Sequence, residues 1–162
     1  MNAKIKQNTD VINFEIERKK YRLGKSDRYV EIDTGDFNII QRFEQANREI
    51  TDYLDKLSKK YGINGIEDVG NISTGDISKD IEQLKETDEF LKNKIDCIFN
   101  YEVSKIVFGN ASCVSVTSNG EYYFENFLNS VIPVLEKEFS TRIDKLSVRS
   151  KEYLAQKGKY SK

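Results

Sequence analysis

The chain has 162 residues, 33% charged and 38% apolar, and its 26 Lys+Arg against 27 Asp+Glu leave a formal charge of −1. That length supports one domain, with or without a tail, and a chain of this size buries roughly 68–70% of its extended surface. The absence of histidine removes the usual neutral-pH proton shuttle, the Ser-His and Cys-His nucleophile pairs and most zinc and non-haem iron sites, while the balanced charge argues against a nucleic-acid binder, which needs a basic surface.

The first 25 residues contain no apolar run of the ~7 residues that a signal-peptide core needs. No later stretch approaches the ~20 apolar residues of a membrane span. A soluble, cytosolic protein without membrane association is expected. Two cysteines are too few for a disulfide-dependent secreted domain, so both are read as reduced, with Cys97 as a small core hydrophobe and Cys113 in a loop.

Residues 11–16 (VINFEI) and 20–23 (KYRL) are β-branched and aromatic with rough alternation, which predicts a hairpin, and Tyr29–Asp33 can add a third strand across the Gly24-Lys25-Ser26-Asp27 turn. So small a sheet, spanning about 11–33, needs a helical layer to cover it. The layer is predicted over 36–61, where Phe37, Ile40, Phe43, Ala46, Ile50, Tyr53, Leu54, Leu57 and Tyr61 recur at steps of three and four. Lys59 and Lys60 complement the helix dipole and Gly62 suits a left-handed cap. Residues 62–76 hold four glycines among Asn, Ser and Thr and read as a loop, pinned by Ile63, Ile66, Val69 and Ile72.

A second helical stretch, 76–107, carries Ile77, Ile81, Leu84, Leu91, Ile95, Ile98, Phe99, Val103 and Ile106, and is interrupted at Asp88 by a bend or a break into two helices. After a loop over 108–120, Ser118 and Glu121 have capping-box spacing. The third helix, 119–148, presents Phe124, Phe127, Leu128, Val131, Leu135, Phe139, Ile143 and Leu146, and Pro133 should kink it. From residue 150 the chain is lysine-rich and reads as a frayed helix passing into a basic, disordered tail. The expected class is α+β and mainly α: one domain over 1–149, with a hairpin of two or three strands packed on three to five helices.

Charge is uneven along the chain: residues 1–25 hold seven basic and three acidic, 26–100 ten and seventeen, and 101–162 nine and seven. Such polarity suits protein partners or head-to-tail self-association. Catalytic signatures are lacking. Gly24-Lys25-Ser26 has Lys19 where a phosphate-binding loop needs glycine, and an extended segment follows it, so it reads as a turn. Glu67, Asp68 and Asp76 lack calcium-loop spacing. Tyr122, Tyr123 and Phe124 cannot all face one core, and with Phe127 they are the candidate partner-binding residues, since exposed aromatics anchor interfaces.

The order of VINFEIERKKYRL, YVEIDTGDF running into IIQRFEQA, a long acidic helix, IVFGNASC and the aromatic YYFENFLNSVIPVLEKEF resembles the tail assembly chaperones of long-tailed bacteriophages and prophages of low-GC Gram-positive hosts, over roughly residues 12–140. Phe108-Gly109 and Phe127-Leu128 with Pro133 are its most telling pieces. The resemblance implies a mainly helical, non-enzymatic protein without cofactor or metal that binds tape measure protein and major tail tube protein in the host cytoplasm and is absent from the finished virion. It also implies a tendency to form homo-oligomers. A tail completion or connector subunit is the nearest alternative. A small carboxylate- or metal-dependent enzyme is the other, and it would require a cleft of converging acids with perturbed pKa values.

Overall fold

A computed structural model describes residues 10–61 and 77–159. Two antiparallel strands, β1 (Arg18–Arg22) and β2 (Tyr29–Asp33), are followed by helices α1 (Asn38–Tyr61), α2 (Ile77–Phe99), α3 (Val103–Phe108) and α4 (Tyr123–Lys159). The chain is α+β and mainly α, as expected. Tyr21 pairs with Val30 and Lys19 with Ile32, so the alternation of β2 turns Val30 and Ile32 into the core, at 2% exposure each. The turn runs through Gly24 at φ 57°, a left-handed conformation that suits glycine, and the Ser26 hydroxyl donates to the Leu23 carbonyl at 2.7 Å.

The predicted strand over 11–16 does not form, and Val11, Ile12, Phe14 and Ile16 lie exposed ahead of β1. Phase explains it. The apolar residues of that segment fall mainly at even positions, whereas β1 turns Lys19 and Tyr21 inward, so a strand continued backward would aim Ile12, Phe14 and Ile16 away from the core.

The core joins β2 to the four helices of the described residues. Leu91 and Ile95 of α2 and Val103 of α3 are fully buried, and Ile39 and Ala46 of α1 pack against the same cluster as Phe127, Val131, Leu135 and Phe139 of α4. Phe127 sits edge-on to Phe108 at 6.2 Å between centroids and tilted to Phe99 at 5.8 Å, geometry that aromatic quadrupoles favour. In α1 the buried stripe begins at Ile39, leaving Phe37 and Ile40 half exposed. Two adjacent isoleucines leave the phase of the first turn open, and the later residues decide it.

The break in the second helical stretch comes at Asn100, not at Asp88. Asn100 adopts φ 60°, a conformation Asn tolerates better than most residues. The N-terminus of α3 is then capped from outside: Asp96 accepts the Ser104 backbone N–H at 2.7 Å and its hydroxyl at 2.9 Å. Arg28 covers the other end, donating to the carbonyls of Ile106 and Val107 at 3.1 and 2.8 Å, which suits the negative end of a helix.

Helix α4 begins at Tyr123, later than predicted. The capping box at Ser118 is not made; Ser118 lies in a tight turn closed by a Val116–Tyr122 bridge, and the Glu125 carboxylate reaches back to accept the Tyr122 N–H at 3.3 Å. The helix passes Pro133 unbroken and continues to Lys159, so the stretch after residue 150, expected to fray and pass into disorder, is helical through Lys159. Lys, Glu, Leu, Ala and Gln favour helix without packing. Ile143 and Leu146, expected in the core, are more than half exposed, because the body ends at Phe139 and Arg142. The cap at Gly62, the apolar residues of 63–72 and the acids Glu67, Asp68 and Asp76 lie outside the described residues.

Candidate partner-binding grooves

The first half of α4 is flanked by two open apolar grooves. One lies between α4 and the hairpin: Val30 and Ile32 of β2, Phe108 of α3 and Phe127 and Val131 of α4 form its floor, and Leu23 and Tyr123 stand at its mouth. The other lies between α4 and α1, lined by Phe43, Ala46, Ile50 and Leu54 on one wall and Phe124, Leu128 and Ile132 on the other. Their charged rims differ in sign. The hairpin groove has Arg22 and Arg28, and the α1 groove has Glu44 and Glu125.

Of the four aromatics singled out in the sequence, Tyr123 and Phe127 line the hairpin groove and Phe124 lines the α1 groove, while Tyr122 lines neither. Phe124 and Phe127 are buried, each at 6% exposure, and contribute floor rather than free contact surface. Tyr122 is half buried and stacks on Phe124 at 5.9 Å. Tyr123, on the first turn of α4, is the exposed member and lines the hairpin groove together with the buried Phe127. Sequence reasoning missed the opposite wall, Tyr21, Leu23 and Arg28. Its signal was present in the half-buried alternation of KYRL, but which helix the hairpin faces depends on long-range packing.

Side chains on α4 hold the hairpin in place. The Lys19 ammonium bonds both oxygens of Glu138, at 2.9 and 2.8 Å, and the Tyr21 hydroxyl donates to the same carboxylate at 3.3 Å. The bond from Lys19 holds the Glu138 carboxyl below the usual range, outweighing the opposing effect of burial. Burial pushes the Tyr21 phenol up, and the Glu138 charge adds to it. One turn on, the Arg142 guanidinium donates to the Thr34 hydroxyl at 2.7 Å and approaches Glu17 at 3.4 Å.

The grooves offer apolar floor, one exposed tyrosine and charged rims. Among the described residues no group of three or more His, Cys, Asp or Glu is placed to hold a metal ion, and no described helix is long and apolar enough to cross a membrane. No protein-family model matches the chain, and comparison with curated proteins and with solved structures gives no match.

Proposed function

We propose that this chain is a non-enzymatic tail assembly chaperone of a long-tailed phage or prophage, which binds tape measure protein and major tail tube protein in the host cytoplasm and leaves before the virion is complete. The observation that carries the reading is the groove between hairpin and α4, with Tyr123 exposed at its mouth. An apolar groove with a polar rim is what an amphipathic helix seats against, and a tape measure protein is a long chain of such helices. The order of sequence elements supplies the rest of the support.

Co-expression with the tape measure and tail tube proteins of one morphogenesis cluster, followed by pulldown and by probing finished tails for the chain, tests the proposal. Tape measure protein should become soluble and co-purify, and the chain should be missing from finished tails. If neither protein co-purifies or gains solubility, the reading fails; persistence in finished tails would favour a completion or connector subunit.

A further inference from the structure

We propose that the groove between α1 and α4 seats the C-terminal extension of α4 from a second copy of this chain, so that copies join head to tail. Beyond Phe139 the extension presents Ile143, Leu146 and Leu154 at 55–63% exposure, and their spacing places them on one stripe of the helix. Its charge is one-sided: residues 140–159 contain six basic and two acidic side chains.

The α1 groove is complementary in three respects. Its walls are apolar along Phe43, Ala46, Ile50 and Leu54, with Ile132 opposite at 39% exposure. Its rim charges are Glu44 and Glu125, and residues 106–136, which include its α4 wall, hold three glutamates and no Lys or Arg. Its length also fits. Phe43 to Leu54 and Ile143 to Leu154 each span eleven helical steps, about 16 Å. The two surfaces lie at opposite ends of α4, and one continuous helix cannot bring its own end back onto its first turns. A groove and a tail that differ make a heterologous contact, which each copy can make twice, once with each surface. This inference does not depend on the proposed function.

Sedimentation velocity on the full chain tests it. The average mass should rise with concentration above the 18.8 kDa of one chain, and the apparent Kd should rise several-fold between about 0.05 and about 0.5 M salt as the rim charges are screened. Ile132→Glu blocks the groove and Leu146→Glu blocks the tail, both at exposed positions, and each variant should lose association while its circular dichroism is unchanged. Mixed in equal amounts, the two variants should form one-to-one dimers and nothing larger, because one intact groove and one intact tail remain. A wild-type chain that stays monomeric, variants that associate as the wild type does, or a mixture that stays monomeric would each overturn the proposal.

Discussion

The carboxylate of Asp88 accepts the backbone N–H of Cys113 at 2.6 Å and, through the same oxygen, the Ser112 hydroxyl at 3.0 Å. Its other oxygen meets Lys92 at 2.8 Å, and Lys92 in turn donates to the Ala111 carbonyl. One side chain thus holds the loop that leads into α4. Burial opposes ionisation of Asp88, but the Lys92 ammonium and the Cys113 N–H outweigh it and keep the carboxyl below its ordinary value of 3.8. A depressed folded-state pKa gives stability that is present above the unfolded value and lost as pH falls through the folded one. Asp88→Ala should cost about 2 kcal/mol at pH 7. Urea melts below pH 4 should show the gap between variant and wild type narrowing; a constant gap would refute this role.

Core and extension should respond differently to truncation. Leu91 and Ile95 are fully buried, so Leu91→Ala or Ile95→Ala should lose about 2–5 kcal/mol. Ile143→Ala, at 56% exposure on the extension, should change stability by less than about 0.5 kcal/mol. Thermal melts at low protein concentration, where one copy is isolated from the next, make the comparison.

Two left-handed residues should respond with opposite sign. Gly109 closes α3 at φ 58° and ψ −122°, and an added Cβ there would meet nothing within 4 Å. The cost of Gly109→Ala is therefore backbone strain alone, about 1–3 kcal/mol. Asn100 at φ 60° carries a smaller strain of the same kind, so Asn100→Gly should be neutral or stabilise by up to about 1 kcal/mol. Chemical denaturation of both variants checks the pair.

The two thiols should differ in reactivity. Cys97 is exposed, contrary to its expected place in the core, and Cys113 is fully buried. Burial pushes the Cys113 thiol up, and its contact with Asp88 adds to the shift. A thiol reagent at pH 8 should label one cysteine per native chain and two in denaturant. Fast labelling of both in the native protein would contradict the packing of the 109–122 loop against α2.

How far these features were legible depends on whether local periodicity decides them. Leu91, Ile95, Ile98, Phe124, Phe127 and Val131 lie where steps of three and four put them, because each packs along a long, regular stripe. Cys97 was misplaced although it sits about 200° round the helix from Ile95, a phase that excludes it from that stripe. Asp88 was visible only as a break in the pattern; its bond to Cys113 joins residues 25 apart in sequence, and nothing local announces such a partner. The α1 stripe pointed to a buried face without saying that α4 would stand off from it and leave a groove. Tyr123 was found with its neighbours, but choosing it from the YYF run required knowing which face of α4 the hairpin covers.

That choice yields a direct test of the hairpin groove. Tyr123 is only 37% exposed but lies at the groove mouth, where an aromatic can close over a seated helix without ordering a long, flexible side chain. Tyr123→Ala leaves the buried Phe124 and Phe127 in place, so chemical denaturation should detect a loss of at most about 1 kcal/mol. Capture of tape measure protein in pulldown should fall about tenfold or more, the scale of a 1.4 kcal/mol contact. Leu23→Asp, across the mouth from it, should produce the same loss because it places a carboxylate against an apolar ligand face. Ile132→Glu, in the other groove, should leave capture by a single copy unchanged. If the Ile132 variant loses capture and the Tyr123 variant keeps it, the client seats between α1 and α4, and the hairpin groove is not its site.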